Sequence, residues 1–397
     1  MKFCMLTSFF GPHSFGGDAV YVDRLSRALL RRGHEVTVVY SEDAFQALRG
    51  SSPEAPYTKP EGLRLKPLRV PGQPVPLLLS HQLGRPVGMQ EALRNALGEE
   101  SFDVLHFHNI SMLGGPGILS IPVEGKPIRL MTAHEFWLVC ERSVLWKNGK
   151  ETCHEPDCIE CSLRAGRPPQ WWRKLEAWRE HLDRLDLLLT PSESSAYIHA
   201  KRGLRRPMQV LPYFVGEDWL AEAPRTTGKA YFLFAGRLVR EKGLTQAIEA
   251  MRLFPQVELW IAGSGPEEAT LRLNDADNIR FLGRLGEAEL REIYRGAIAT
   301  LIPSEMVETF GYVALESMAV GTPVIVHDLG ALPELVTQSN GGIVYTGVEQ
   351  MREAMQQLLL DPDLRERLGA EGRNAALRLW NEERHLERYF ALLSGVT

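Results

Sequence analysis

Short apolar runs recur along this chain, each closed at its C-terminal end by small or polar residues and followed by a helical pattern. That alternation is what most restricts the folds open to it. Runs dense in Val, Ile and Leu, without polar alternation, suit strands buried on both faces, the condition of a parallel sheet covered by helices. The first forty residues show one whole unit. Phe3–Leu6 is apolar, Ser8–Gly17 is a loop containing Pro12, Gly16 and Gly17, and Val22, Leu25 and Leu29 mark one helical face. Gly33 stops that helix and Val36–Tyr40 opens the next strand, which makes a βαβ unit. Further strands are expected at Val104–Phe107, Ile128–Thr132 and Leu187–Thr190. Ser51–Pro76, rich in Pro and polar residues, reads as an irregular excursion with room for a strand in Gly62–Val70.

A second series starts after Pro212–Gly216 and a polar stretch through Gly228. Its strands are expected at Tyr231–Ala235, Val257–Ile261, Ile279–Leu282, Ile298–Ile302, Pro323–Val326 and Ile343–Tyr345. From Met351 onward the pattern is helical, ending in Glu382–Leu393, where Leu386, Tyr389 and Leu393 share a face. The 397 residues therefore read as an α/β chain with two Rossmann-like, doubly wound parallel-sheet domains, residues 1–215 and 216–378, followed by a terminal helix in 379–397. Ligands of such sheets bind beyond the C-terminal ends of the strands, so the cleft between the domains is the expected site.

Charge and cysteine content exclude other classes. Lys plus Arg number 45 against 50 Asp plus Glu, which leaves no global basic field for a nucleic-acid backbone. No run approaches the roughly 18 apolar residues of a membrane span, and Met1–Leu6 passes too soon into polar and Gly residues for a secretory signal. The protein is therefore expected in the cytosol. Of five cysteines, Cys4 reads as a small apolar strand residue, while Cys140, Cys153, Cys158 and Cys161 are separated by twelve, four and two residues. With a hairpin turn at Trp146–Lys150, that spacing predicts an insert over about 140–161 closed by a structural zinc ion, with His154 as a substitute ligand and four unlinked thiols as the alternative. From Arg164 to Arg206 there are ten cations against five acids, and Trp171, Trp172 and Trp178 interleave with Arg173, Lys174 and Arg179. This segment admits peripheral contact with an anionic membrane surface, beside the plainer reading of packed Trp residues with solvated charges.

Three places could carry chemistry. The loop Gly236–Gly243 sets Arg237 and Lys242 beside a helix start, where an Arg fork, a Lys point charge and unpaired amides suit a diphosphate; the plainer reading is two solvated charges. Gly16 and Gly17 could offer backbone amides to the same group from the other domain. In Ala262–Glu268 the third glycine of a dinucleotide fingerprint falls at Glu268, so that assignment is rejected. In Glu308–Glu316, a helix beginning near Phe310 puts Glu308 in the loop ahead and Glu316 on the second turn. One carboxylate can then hold a ribose diol and the other a sugar hydroxyl, with the amides of Phe310, Gly311 and Tyr312 between them; otherwise both are ordinary helix charges. His134 reads equally as a hydrogen-bonded histidine at a strand end. His106 and His108 are expected to face opposite ways and so not to form one metal site.

On these residues the chain resembles the retaining glycosyltransferases of family 4, which have the two-Rossmann-domain fold called GT-B. The resemblance rests on Gly16-Gly17, Asp103–Asn109, Thr132-Ala133-His134-Glu135, Gly236-Arg237 with Glu241-Lys242-Gly243, the Glu308 and Glu316 pair, and Gly321-Thr322-Pro323. It implies a nucleotide-diphosphate sugar donor, with Arg237 and Lys242 on the diphosphate, Glu316 on the ribose, and Glu308 with the amides of Phe310, Gly311 and Tyr312 orienting the sugar. It also implies His134 facing that sugar, Arg284 and Leu285 meeting the nucleobase through backbone groups, Asn109 and Glu135 on the acceptor side, and a final helix that crosses back to the first domain. Glu135 stands where the family often has Asp, and Tyr213 where Asn is common, the latter bearing only on the hinge. The implied reaction is a retaining transfer, without a catalytic metal, to a hydroxyl of a cell-surface polysaccharide, lipid-linked oligosaccharide or related glycan. The departing phosphate would take the acceptor proton. Other GT-B chemistry, such as epimerisation, and a non-catalytic sugar-nucleotide-binding regulator are the alternatives.

Overall fold

The computed structural model describes residues 1–50, 57–70, 72–98, 100–224, 228–273 and 277–396. In chain order, its first half contributes β1 (Lys2–Leu6), β2 (Glu35–Ser41), β3 (Arg64–Leu68), β4 (Val104–Phe107), β5 (Ile128–Thr132), β6 (Trp146–Lys147), β7 (Glu151–Thr152), β8 (Leu187–Thr190) and β9 (Gln209–Val210). All but β6 and β7 join one parallel sheet in the order β3-β2-β1-β4-β5-β8-β9; β6 and β7 pair antiparallel with each other. In the centre of the sheet, Phe3 lies beside Val36 on one neighbour and Val104 on the other. Phe3 and Met5 enter one apolar cluster, Cys4 and Leu6 another, so β1 is buried on both faces as its composition requires. Helix α1 (Gly17–Arg31) covers the Phe3 face through Val22, Leu25 and Leu29.

The second half contributes β10 (Tyr231–Ala235), β11 (Glu258–Ala262), β12 (Ile279–Gly283), β13 (Thr300–Ile302), β14 (Val324–His327) and β15 (Gly342–Tyr345), a parallel sheet ordered β12-β11-β10-β13-β14-β15. These strands fall where the apolar runs put them. Within the excursion, Arg64–Leu68 is a strand, inside the Gly62–Val70 stretch that had room for one, whereas the tail of the excursion becomes helix α2 (Val75–Leu83), unheralded because its Leu run carries no periodic polar face. The expected excursion at 51–56 and residue 71 lie outside the described residues.

Helix α3 (Leu244–Met251) follows β10, and α4 (Tyr312–Ala319) follows β13. The last helix, α5 (Glu382–Ser394), packs on the first sheet. Leu386 is fully buried, Tyr389 hydroxyl lies 3.1 Å from His106 Nδ1, and the Phe3 and Tyr389 rings are 6.2 Å apart. His385 Nδ1 donates to the Pro212 carbonyl at 2.8 Å, which leaves Nε2 to accept from the Tyr21 hydroxyl at 3.1 Å. One apolar cluster thus runs from Phe3 and Tyr21 through Phe214 and Trp219 to Phe310, Leu315, Trp380 and Leu386.

Of the three Trp residues in 164–206, Trp172 and Trp178 are buried and Trp171 is 50% exposed, so packing explains two of them and leaves one on the surface. Among the described residues no helix is long and apolar enough to cross a membrane.

Because Leu386 is held by residues of both halves, Leu386→Ala is expected to cost about 2–5 kcal/mol in denaturant unfolding. A loss below about 1 kcal/mol would show that α5 is not docked in solution.

Candidate active site

Apart from the four cysteines of the insert, every candidate residue lies just beyond the C-terminal end of a parallel strand or on the helix that follows. After β10 the chain turns through Gly236, Arg237 and a short turn at Arg240–Lys242 before α3. Gly243 has a φ of +67°, and a Cβ there would lie 1.9 Å from the Pro303 carbonyl oxygen, so glycine lets this loop press on the end of β13. The turn brings Lys242 Nζ to 2.5 Å from Glu308 Oε1, and Ser304 Oγ donates to the same oxygen at 2.9 Å. Burial would raise the Glu308 carboxyl, but Lys242, Ser304 and Arg237 hold it below its ordinary value. Arg237 itself is exposed, and its charge acts on Asp18, Glu135 and Glu308 alike. At the start of α4, Gly311 has a φ of +111° and its carbonyl accepts from the amides of Ala314 and Leu315. The amides before these have no intrahelical acceptor.

Glu316 projects from the second turn of α4, and Arg24 of α1 meets it there from the other half, Nη2 to Oε1 2.8 Å. The same guanidinium reaches Glu287 at 3.1 Å and lies 5.0 Å from the Tyr312 ring centre and 5.5 Å from that of Trp219. Tyr294 hydroxyl is 3.5 Å from the second Glu316 oxygen. Burial raises the Glu316 carboxyl, and Arg24 opposes that shift without cancelling it. Arg24 was not among the residues expected at the site from the sequence. The signal available was its place three residues after Tyr21 and four before Ala28, on the buried face of α1. Gly17 permits this approach, since its Cβ would meet the Tyr312 ring at 3.2 Å.

On the first sheet, His134 is 9% exposed and both ring nitrogens are engaged: Nδ1 with the Tyr213 hydroxyl at 2.5 Å, Nε2 with His108 Nδ1 at 2.9 Å. Burial lowers its pKa to about 3, so it is neutral at physiological pH. Two expectations are corrected here. The His106 and His108 rings are 3.9 Å apart, because residues two apart on a strand share a face. Tyr213 does more than mark a hinge, since it bonds His134 and stacks on Tyr312 with ring centres 4.7 Å apart. Asn109 Nδ2 donates to Asp18 at 3.3 Å and approaches Glu135 at 3.5 Å. Burial and the Asp18 charge push the Glu135 carboxyl up to about 7, against Ser143, Arg167 and Arg237. Asp18, also missed in the sequence, accepts from the backbone at Ala19, so a carboxylate already sits over the turn that Gly16 and Gly17 were expected to offer to phosphate.

The two clusters are tied together. Thr309 hydroxyl donates to the His134 carbonyl at 2.7 Å, and Ser192 hydroxyl donates to the Thr309 carbonyl at 2.6 Å. Arg284 is exposed after β12, and Leu285 packs against the apolar cluster.

The zinc expectation finds no support. Among the described residues no three His, Cys, Asp or Glu side chains gather into a group able to hold a metal ion. Cys161 Sγ lies against the β6–β7 hairpin, 3.3 Å from the Asn148 amide, while Cys153 Sγ lies 3.8 Å from Arg202, so these two thiols have different neighbours; Cys140, Cys153 and Cys158 are near enough for their charges to act on one another. The insert instead touches the second half: Thr152 hydroxyl donates to the Glu305 carbonyl at 2.7 Å, and Phe136 and Leu145 pack with Val307.

Residues 15–218 match the family described as Glycosyltransferase Family 4, and residues 216–375 match Glycosyl transferases group 1. The MMP alpha-(1->4)-mannosyltransferase of Mycolicibacterium hassiacum is 27% identical over 404 residues, covering 92% of this chain and 91% of that protein. The GDP-mannose-dependent monoacylated alpha-(1-6)-phosphatidylinositol monomannoside mannosyltransferase of Corynebacterium glutamicum is 36% identical over 173 residues, covering 40% of this chain and 45% of the relative. Sucrose-phosphate synthase from Thermosynechococcus elongatus superposes over 100% of both chains with a TM-score of 0.76 at 20% identity, a likeness of fold.

Arg24→Ala leaves the buried Glu316 carboxyl without its ion-pair partner, while Glu287 is solvent-exposed, and is expected to lower unfolding stability by about 3 kcal/mol. For Glu135, a folded pKa raised to about 7 means that the native state holds the proton more tightly than the unfolded chain. Its contribution to stability therefore falls as pH rises from the ordinary carboxylate range to about 7. Glu135→Gln should remove that decline, so that the variant gains on the parent between about pH 5 and about pH 8 in thermal melts.

Proposed function

The chain belongs to glycosyltransferase family 4, with the GT-B fold, and from that premise we propose that it moves a mannosyl or glucosyl group from a nucleotide-diphosphate sugar to a hydroxyl of a glycan or lipid-linked acceptor, with retention at the sugar carbon. In this reading residues 216–378 take the donor, 1–215 the acceptor, and 379–397 join the two. The observation that carries it is the meeting of Lys242, Arg237, Glu308 and the open amides at the start of α4 at the neighbouring ends of β10 and β13, opposite His134 and Glu135. The names of the two mannosyltransferase relatives, one of them GDP-mannose-dependent, support the donor class and the sugar.

When donor binds, Lys242 exchanges Glu308 for the diphosphate, and Arg237 and the amides of Phe310, Gly311 and Tyr312 share the charge. Glu308, freed of its ammonium, accepts from a sugar hydroxyl. Ribose hydroxyls replace Arg24 at Glu316. The bond from the sugar carbon to the phosphate oxygen breaks as the acceptor oxygen attacks from the same face, and the acceptor proton passes to the departing phosphate. His134, neutral and held by Tyr213 and His108, positions the sugar rather than trading protons. Asp18, Asn109 and Glu135 would receive acceptor hydroxyls. Gly16 and Gly17 line the approach, and Arg284 and Leu285 flank the base.

Incubation with uridine, guanosine and adenosine diphosphate sugars and a glycan acceptor should give acceptor-dependent product whose anomeric configuration matches the donor. Turnover without acceptor, or inverted product, would overturn the reading. Lys242→Ala should lower kcat/KM by about 10²–10³-fold, and Glu316→Ala should act mainly by raising the donor KM.

A further inference from the structure

Apolar helix faces normally meet a core, yet α2 turns one outward. Val75, Leu78, Leu79 and Leu83 follow one another at helical spacing, and all four are exposed, Val75 by 57% and Leu78 by 49%. The opposite side, with Leu77 and Ser80, is the one buried. The orientation is enforced from below. Trp172 lies under Gly84, where a Cβ would approach its ring to 2.6 Å, and donates its indole N–H to the His81 carbonyl at 3.1 Å. Gly117 also donates to the Gly84 carbonyl at 2.8 Å. The turn that supplies Trp172 adds Trp171, 50% exposed, and is followed by Leu175, 64% exposed. A rigid platform of six large apolar side chains therefore faces outward from two abutting segments.

Charge identifies what would cover it. From Gly72 to Gln90 and from Cys161 to Leu175 there is no Asp or Glu, whereas Arg85, Arg164, Arg167, Arg173 and Lys174 all fall there. Arg85 and Lys174 are exposed, and Lys174 Nζ stands 5.2 Å from the centre of the Trp171 ring, whereas the Arg167 charge acts on Glu135 and Glu241 of the candidate active site. Apolar side chains fringed by cations, with an indole at the boundary, match an anionic lipid surface, where the apolar groups enter the acyl boundary and the cations meet headgroups. Glu176, which follows Leu175, is paired with Arg179, so Arg85 and Lys174 leave the platform's edge net positive in a chain of net charge −5.

We propose that α2 and the Trp171–Leu175 turn form a membrane-docking face for anionic lipid. The face also lies close behind the acceptor side. Trp172 packs on Trp137 with ring centres 5.5 Å apart, and Trp137 lines the small cavity shared with Asn109 and Glu135. That second statement rests on the transfer reading above, whereas the docking does not.

Co-sedimentation of the full chain with phosphatidylcholine–phosphatidylglycerol vesicles should show binding that is weaker on phosphatidylcholine alone and falls with added salt. The double substitution Leu78→Glu and Leu79→Glu should reduce it by about tenfold or more, and Lys174→Glu by about fivefold. Both variants alter exposed positions, so their melting temperatures and their turnover of a water-soluble acceptor should match the parent. Failure of turnover in the parent would then count against the transfer reading alone. Absence of vesicle binding by the parent would overturn the docking proposal. So would a parent dimer, seen by analytical ultracentrifugation, that the Leu pair substitution dissociates, because the face would then belong to a second copy of the chain.

Discussion

The Thr309–His134 hydrogen bond, backed by Ser192 on the Thr309 carbonyl, sets the geometry of the whole site. It joins the loop that carries Glu308 to the strand end that carries His134 and Glu135, so groups from two independent sheets share one frame. Most other contacts at the seam are consistent with that anchor. Tyr213 can reach His134 and stack on Tyr312 only when the two strand ends meet, and Gly17 must lack a side chain because α4 begins against it. The last helix closes the assembly from behind, pinned by Tyr21 and Pro212 on His385.

Charge at the seam is managed carboxylate by carboxylate. Glu308 is held ionised by Lys242 and Ser304, whereas Glu316 is raised by burial and bridged by Arg24. Asp18 and Glu135, close enough to repel, are both raised. Such opposed environments for chemically similar groups are the usual mark of a functional site, because they divide acceptor, donor and proton-holding roles among carboxylates that would otherwise titrate together. The buried histidines make the complementary case. His106, His108, His134 and His385 are all lowered by desolvation and act as neutral hydrogen-bonding spacers between strands and the last helix.

The cysteine insert shows how spacing can mislead. A tight pair such as Cys158 and Cys161 resembles half of a metal knuckle, but Cys158 begins a short helix, the Cys161 sulfur turns to the Asn148 amide and the Cys153 sulfur to Arg202. What the insert does in the fold, bonding through Thr152 to Glu305, involves a residue type with no distinctive pattern. The Trp residues of the basic segment are similar: their number was visible in the sequence, but not that two pack inward and one remains outside.

The inner strands were legible because a strand buried on both faces must be apolar on every residue, a requirement written locally, whereas β3 and β9, at the sheet's edges, carry polar residues and were less legible. The helix start that separates Glu308 from Glu316 was also written locally, with the glycine that precedes it. Arg24 and Asp18 were not legible in the same way. Their roles depend on which distant surface arrives opposite them, and a single cation on a helix reads alike whether it faces water or a glutamate nearly three hundred residues away. Local chemistry in the sequence thus determined the two sheets and the residues at their edges. The approach of one sheet to the other decided which of those residues are paired, neutral or charged, since burial and long-range partners exist only once the chain has closed.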